Sequence, residues 1–322
     1  MAKSSHGNSG KRLMEGVVLQ STGGRSKVRV ASGKIYDCAF RGKMRLKNIR
    51  ATNPVAVGDK VIISIKDSSS LHTITRILPR KNYILRKAIA KSHAVHILCA
   101  NIDQALLVIT IREPHTTVGF VNRFLTIAEA YHIPVRIIIN KVDLLTSPAH
   151  SQKMEEVIRI YEEVGYEVTR LSALDSKSRE IMQEMLQDKV SFVGGHSGVG
   201  KSTLINMVDP DLDLKTGEIS EYTQKGKHTT VFSQMLPLSI GGYIIDSPGI
   251  KEMGIVNLTK QELAHYFPEM RELLPSCKFS NCLHLDEPGC AVKEALETGE
   301  VHPSRYNSYL SMIEEMVDEP YK

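Results

Sequence analysis

The spacing of hydrophobic and polar residues changes along the chain. Between about residue 15 and residue 78, short runs rich in Val and Ile are separated by turn-forming pairs such as Gly23-Gly24 and Gly58-Asp59. The predicted strands are Gly16–Gln20, Lys27–Val30, Ile35–Ala39 and Lys60–Ile65. Several short strands within about 65 residues are typical of a small β-barrel.

Beyond Gln104, segments of strand length alternate with segments of helix length. The predicted strands are Gln104–Thr110, Val135–Ile139, Glu167–Leu171, Val190–Val193 and Tyr243–Ile245. The predicted helices are Val118–Tyr131, Ser151–Val164, Ser176–Gln187 and Lys201–Met207. This alternation predicts a mostly parallel sheet with helices on both faces. After about Leu258 the pattern is helical, apart from one segment rich in Cys and His.

Positive charge is concentrated in the N-terminal part of the chain. Residues 1–80 contain 16 Lys and Arg against 4 Asp and Glu, whereas the remaining residues contain 25 against 32. The densest basic stretch runs from Arg41 to Arg50. This asymmetry predicts a polyanionic partner for the barrel. An SH3-like or other generic barrel is one alternative, but the charge favours an OB-fold that binds nucleic acid.

A phosphate-binding loop is predicted where the strand Val190–Val193 runs into a helix. Gly195 to Ser202 fit the pattern G-x-x-x-x-G-K-[ST], in which glycines let backbone N–H groups converge on phosphate oxygens. We expect Lys201 to reach the β- and γ-phosphates and the Ser202 hydroxyl to bind Mg²⁺. The predicted nucleotide-contacting residues are Gly194, Gly195, His196, Ser197, Gly198, Val199, Gly200, Lys201, Ser202 and Thr203.

A guanine-reading motif directly follows the predicted strand Val135–Ile139. It consists of Asn140, Lys141 and Asp143 in the spacing N-K-x-D. The carboxylate of Asp143 can accept two hydrogen bonds from guanine, whereas adenine offers no such pair of donors. Taken alone, the motif is a short and weak match, and an Asp that caps a helix is a plausible alternative. Together with the phosphate loop it indicates a guanine nucleotide.

The guanine-nucleotide motifs occur in a rotated order. In ordinary GTPases the phosphate loop comes first, but here Asp143 precedes Lys201 by 58 residues. Ser172 and Ala173 lie between them and resemble the second base-contacting loop. Because a permuted chain can close the same sheet, the order is compatible with one intact nucleotide site.

Two further motifs follow the phosphate loop. The segment Lys225–Thr230 resembles the first switch region, and Asp246-Ser-Pro-Gly249 resembles the D-x-x-G motif of the second. The sequence therefore predicts a circularly permuted P-loop GTPase.

Three cysteines and one histidine near the C-terminus have the spacing of a metal site. Cys277, Cys282, His284 and Cys290 lie within 14 residues. Three thiolates and one imidazole suit tetrahedral Zn²⁺ and leave no open position for water, so we expect one structural zinc. A disulfide or redox pair is the less favoured alternative in a chain expected to be cytosolic.

The combined motifs resemble the RsgA/YjeQ family, circularly permuted GTPases that act in small ribosomal subunit biogenesis. The resemblance runs from about residue 13 to the Cys/His segment. It implies GTP hydrolysis, binding to the small ribosomal subunit and its rRNA, and a zinc pattern like the one above. It also implies that Thr229 or Thr230 and Asp246 contribute to Mg²⁺ binding, and that the Gly249 N–H senses the γ-phosphate.

The residue that orients the attacking water is not evident from the sequence. Ras-like enzymes carry Gln directly after D-x-x-G, whereas Ile250 stands here. His228 is a candidate, although a solvated loop histidine is the simpler interpretation. We expect slow intrinsic turnover that a partner stimulates. A nucleotide-gated RNA- or protein-binding module with little turnover is the alternative function.

The predicted organisation has four parts. These are a flexible tail over 1–12, an OB-fold-like nucleic-acid-binding domain over 13–80, a circularly permuted GTPase domain over 81–257 and a helical zinc-binding domain over 258–322. No hydrophobic run approaches the length of a membrane span and no signal peptide is evident. We therefore expect a cytoplasmic monomer that binds GTP or GDP and no membrane.

Overall fold

The computed structural model describes residues 12–22, 24–40, 54–65, 71–87, 95–214, 233–246 and 258–316. The chain forms two compact units. The first comprises residues 1–102, 228–236 and 245–247, and the second comprises residues 103–227, 237–244 and 248–322.

The first unit contains a closed five-stranded barrel. Its strands are β1 (Arg12–Thr22), β2 (Arg25–Val30), β3 (Ile35–Phe40), β4 (Lys60–Ile65) and β5 (His72–Ile77). They are ordered β1-β2-β3-β5-β4, and pairing of β1 with β4 closes the barrel. The prediction of an OB-fold-like barrel is confirmed. The strand β5 was absent from the sequence-based prediction.

Alternation along the strands builds the barrel interior. On β2 the side chains of Ser26, Val28 and Val30 are buried, whereas Arg25 and Lys27 are exposed. The long strand β1 pairs with β4 through its first half and with β2 through its second. At the crossing, a Cβ on Gly16 would stand 2.6 Å from Val28 Cγ1, so only glycine fits this close approach.

A hairpin follows the barrel, in a stretch between Pro79 and Gln104 where the sequence pattern predicts no strand. Its strands are β6 (Tyr83–Lys87) and β7 (Val95–Ala100), which pair antiparallel. The prediction was therefore wrong at this point. A buried ion pair anchors the chain before the hairpin, because Arg80 Nε donates to Asp59 Oδ1 at 2.6 Å.

The second unit contains the predicted parallel sheet. Its strands are β8 (Gln104–Ile109), β9 (Val135–Ile139), β10 (Glu167–Arg170) and β11 (Val190–Gly194). They are parallel and ordered β10-β9-β8-β11, with β13 (Tyr243–Asp246) next in the sheet. The strand β12 (Gln234–Pro237) begins within the first unit, where Gln234 pairs antiparallel with Gln20 of β1.

Four helices accompany this sheet. They are α1 (Val118–Ala130), α2 (Pro148–Glu163), α3 (Ser176–Leu186) and α4 (Lys201–Val208). The helix α2 begins three residues before its predicted start. The cause is local, because Ser147 caps the backbone N–H of His150 and Pro148 occupies the first helical turn. The predicted fold class is confirmed.

The C-terminal region is helical and has its own core. Its helices are α5 (Lys260–Leu263), α6 (Pro268–Arg271), α7 (Ala291–Thr298) and α8 (Pro303–Glu315). Phe267, Met270, Val292 and Tyr309 are fully buried among them. Among the described residues, no helix combines the length and the hydrophobicity that crossing a membrane requires.

Candidate functional site

The phosphate loop lies between β11 and α4, as the sequence predicts. Lys201 is the first residue of α4, and its side chain is 6% exposed. Its Nζ donates to the carbonyl oxygens of Gly195 at 2.8 Å and His196 at 2.7 Å. Ser202 is likewise buried, at the N-terminus of the same helix. A helix N-terminus supplies free N–H groups and a favourable dipole for phosphate.

Two loop positions require glycine. Gly195 has φ +143°, and a Cβ there would collide with the carbonyl oxygen of Val108 on β8. Gly200 has φ +96°, and a Cβ there would collide with the Asn140 side chain. The loop therefore packs too closely on its neighbours to accept a side chain at either residue.

The predicted base-reading residues converge after β9 and β10. Asn140 Nδ2 donates to the carbonyl oxygen of Val199 in the phosphate loop at 2.8 Å. Ser172 Oγ donates to Asp143 Oδ1 at 2.6 Å, so the two base-contacting motifs are in direct contact. Ala173 follows Ser172 and packs against the sheet core. The phosphate loop and both base-contacting motifs thus meet at the carboxyl edge of the sheet, where open α/β sheets bind ligands.

The chemistry of this edge fits a guanine nucleotide. Asn140 Oδ1 is buried, and no described residue donates to it. A buried polar atom of this kind is costly unless a ligand completes its hydrogen bonding. Asp143 still has carboxylate lone pairs beyond the one that Ser172 uses.

The sequence analysis missed one part of this site, the segment that joins β8 to α1 together with the first turn of α1. Its Glu113 carbonyl accepts from Lys141 Nζ at 2.7 Å. Pro114 packs beside Gly198, and the Phe120 ring stacks on His196 with centroids 3.8 Å apart. The feature that could have identified this segment as part of the site is its position, because it follows a strand that neighbours the phosphate-loop strand in the sheet.

The predicted switch residues cannot be placed in the same way. His228, Thr229, Thr230 and Gly249 lie outside the described residues, as does the densest basic stretch. Asp246 ends β13, next to the phosphate-loop strand, and only its backbone is described. The roles assigned to these residues therefore remain predictions.

The four predicted metal ligands form one cluster. The ligand atoms of Cys277, Cys282, His284 and Cys290 lie within 4.8 Å of one another. His284 Nδ1 is 3.4 Å from Cys290 Sγ and 3.7 Å from Cys277 Sγ, so Nδ1 is the nitrogen that faces the thiols. Three sulfurs and one nitrogen are a donor set that could hold zinc.

Burial shapes the chemistry of this cluster. It raises the pKa of the Cys282 thiol to about 12 and lowers the pKa of His284. The imidazole is thereby kept in its neutral, metal-binding form. Two tyrosines of α8 hold the surrounding loop, because the Tyr306 hydroxyl donates to the His284 carbonyl at 2.6 Å and the Tyr309 hydroxyl to the Leu283 carbonyl at 2.8 Å.

The barrel carries exposed basic side chains, and one lysine lies beside an aromatic ring. Lys34 Nζ lies 4.9 Å from the centre of the Tyr36 ring, and Tyr36 meets His72 edge-on at 5.0 Å. Exposed Arg25 and Lys27 project from β2. Exposed Lys and Arg side chains of this kind can neutralise the phosphates of a polyanion.

The strand order and the three converging motifs define a circularly permuted P-loop GTPase, an enzyme that hydrolyses GTP. Residues 77–256 match the family described as RsgA GTPase, and residues 15–70 match the RsgA N-terminal domain. The chain belongs to the RsgA GTPase family.

Relatives and solved structures agree with this membership. The chain is 46% identical to the small ribosomal subunit biogenesis GTPase RsgA of Flavobacterium psychrophilum, over 94% of this chain and 93% of that one. It is 45% identical to the protein of the same name from Bacteroides fragilis, over 96% and 99%. YjeQ from Thermotoga maritima superposes with a TM-score of 0.76 at 33% identity, covering 96% and 100%. YloQ, described as a circularly permuted GTPase, gives 0.74 at 29%, covering 99% and 100%.

Proposed function

We propose that this protein hydrolyses GTP at the edge formed by the phosphate loop and the base-reading motifs, and that it does so on the small ribosomal subunit during its maturation. The observation that carries the proposal is the contact of Asn140 with Val199 and of Asp143 with Ser172, which brings motifs far apart in the chain together, as one guanine-nucleotide site would require. The choice of the small ribosomal subunit as the partner is supported by the similarity to small ribosomal subunit biogenesis GTPases.

Hydrolysis at this site depends on positioning and on charge. Asn140 and Asp143 would hold guanine, and the backbone N–H groups from Gly195 to Lys201 would hold the phosphates. Lys201 would neutralise charge on the β- and γ-phosphates. Mg²⁺, bound with the nucleotide, would supply further positive charge there. Ser202, Asp246 and Thr229 or Thr230 are the residues that would hold the ion.

The sequence lacks the Gln that follows D-x-x-G in Ras-like enzymes. Ile250 cannot orient water, which supports slow intrinsic turnover and stimulation by the subunit. His228 is our candidate for this role. The same absence of Gln favours the second candidate function, a nucleotide-gated binding module with little turnover.

The two other parts of the chain supply contacts to RNA in this proposal. The basic barrel, over about residues 13–80, would bind rRNA mainly through its phosphates. The C-terminal region, over 258–322, would carry one structural Zn²⁺ on its Cys and His cluster and make a second contact. The GTPase domain would occupy 81–257. We expect the protein to be cytoplasmic, since ribosomes and GTP are both found in the cytoplasm. We also expect it to be a monomer.

The test is GTP hydrolysis with and without purified small ribosomal subunits, with Lys201→Ala as the inactive reference. Strong stimulation that the Lys201→Ala protein lacks supports a subunit-coupled GTPase. Lys177→Ala is the matched control, because Lys177 lies in the first turn of α3 and has no assigned role at the site. Slow turnover that subunits leave unchanged favours the binding module instead.

A further inference from the structure

The segment from Thr110 to Phe120 touches both halves of the nucleotide site. At its centre, the Glu113 carbonyl accepts from Lys141 of the base reader. At its end, the partly buried Phe120 ring lies over His196 of the phosphate loop, with 29° between the ring planes. The His196 carbonyl in turn accepts from Lys201 Nζ. Phe120 therefore supports the residue that holds the phosphate-loop lysine.

Two residues further along α1, Asn122 binds the C-terminal region. Asn122 is fully buried, and its Oδ1 accepts from Arg305 Nη1 at 3.1 Å and from the Tyr161 hydroxyl at 3.0 Å. Its Nδ2 donates to Ser308 Oγ at 2.8 Å and to the Ser304 carbonyl at 3.3 Å. Both the oxygen and the nitrogen of this amide are thus occupied, which fixes the orientation of the side chain.

The helix α8 connects the Asn122 side chain to the candidate metal ligands Cys277, Cys282, His284 and Cys290. Arg305 and Ser308 face α1, whereas Tyr306 and Tyr309 hold the loop that carries His284. Arg305 is also paired with Glu269, through Nε at 2.6 Å and Nη2 at 2.9 Å, and lies over the Phe267 ring. A buried, fully paired arginine allows little independent movement of the helix.

We propose that the C-terminal region positions the phosphate loop through α1. Asn122 of α1 contacts α8, and Phe120 of α1 contacts His196 in the loop. Phe120 and Asn122 are positioning residues in this scheme. Since small displacements of a catalytic group change rates strongly, a partner that shifts α8 would alter the placement of Lys201 and hence the rate of hydrolysis.

This inference rests on the proposed GTP hydrolysis and gives it a route of regulation. It is tested on the full-length protein without ribosomal subunits, by measuring kcat and KM for GTP together with Tm. The variants are Phe120→Ala, Phe120→Tyr, Ser308→Ala and the double variant Phe120→Ala/Ser308→Ala. Phe124→Leu is the matched control, because Phe124 lies on the same helix but packs on Phe192 of β11.

We expect Phe120→Ala to lower kcat about 2- to 30-fold, with KM changing less and with Phe120→Tyr restoring turnover. Ser308→Ala should also lower kcat, and it should add nothing in the Phe120→Ala background, because both changes interrupt one route. Phe124→Leu should lower Tm and leave kcat unchanged. The proposal is overturned if Phe120→Ala leaves kcat unchanged. It is also overturned if kcat of the double variant falls by the product of the two single-variant effects.

A second readout separates this inference from the proposed function. Amide hydrogen exchange at residues 196–200 should be faster in Ser308→Ala than in the wild-type protein and unchanged in Phe124→Leu. If the wild-type protein hydrolyses no GTP, the proposed function fails, and the exchange data alone decide whether α1 connects the two regions. Unaltered exchange in Ser308→Ala overturns the connection.

Discussion

Gly200 lies directly against Asn140, so that the predicted phosphate loop and the predicted base reader touch across 60 residues of chain. The contact is close because Gly200 has no side chain, and the hydrogen bond from Asn140 to Val199 depends on it. The two motifs therefore act as one structural unit, although each was recognised separately in the sequence.

We expect Gly200→Ala to weaken GDP binding more than about tenfold, which corresponds to a loss of more than about 1.4 kcal/mol of binding free energy. The added Cβ would displace Asn140, and φ +96° is unfavourable for alanine. Titration with a fluorescent GDP analogue measures the change. Gly119→Ala is the control, because Gly119 lies on α1 with open space around its Cβ position and should bind GDP normally. Equal affinity in Gly200→Ala would refute the close contact.

Asp143→Asn should change which base is bound. The amide would replace one acceptor with a donor, so GTP should bind more weakly and xanthosine triphosphate more tightly. Competition between the two nucleotides measures the preference. The matched control is Asp175→Asn, which alters a nearby helix cap and should leave GTP preferred. Unchanged GTP affinity in Asp143→Asn would remove Asp143 from the base-reading role.

Removing one partner of the Arg305–Glu269 pair should lower the free energy of unfolding strongly. Arg305 is fully buried, so Glu269→Leu would leave its charge uncompensated, at a cost of about 3–5 kcal/mol. Chemical denaturation measures the loss. Glu315→Ala breaks the exposed pair with Arg123 and should cost less than about 1 kcal/mol. Similar losses in the two variants would contradict the burial-based argument.

Zinc affinity should rise with pH. The pKa of the Cys282 thiol is raised by burial to about 12, so metal binding must displace a proton from it at neutral pH. The affinity should therefore increase by about tenfold per pH unit for each proton released. Competition with a chromogenic chelator between pH 6 and 8, a range of about two units, measures this slope.

The control for the zinc measurement is Cys99→Ala, which alters a buried cysteine far from the cluster in sequence and should retain one zinc per chain. Cys282→Ser should lose it. Zinc retention in Cys282→Ser, or an affinity independent of pH, would exclude this thiol as a ligand.

The sequence predicted the parallel sheet well because its strands carry an unambiguous pattern. Val135–Ile139 was predicted with the observed bounds, since a buried apolar run between turn residues has few other interpretations. The sequence pattern did not predict the hairpin of β6 and β7. The strand Tyr83–Lys87 ends in charged residues, and it is stabilised by a partner strand several residues away. Local patterns do not reveal such pairing.

The candidate site was predictable to the extent that its residues belong to short motifs. Asn140, Asp143, Lys201 and the candidate metal ligands were all proposed from motif spacing, and the structure brings the members of each group together. Phe120 belongs to no motif, and its contact with His196 arises only when α1 is placed beside the phosphate loop. The same is true of Asn122, whose partners on α8 lie more than 180 residues away.

Circular permutation determines which element follows each predicted switch segment along the chain. The next described element after Lys225–Thr230 is β12, which is hydrogen-bonded to β1, and the next after Asp246-Ser-Pro-Gly249 is α5, whose first turn Thr259 caps. Neither predicted switch segment is therefore followed directly by one of the parallel strands β8 to β11. Deleting residues 258–322 would leave the predicted D-x-x-G segment with a free end, so a shortened chain would report on that change as well as on the missing region.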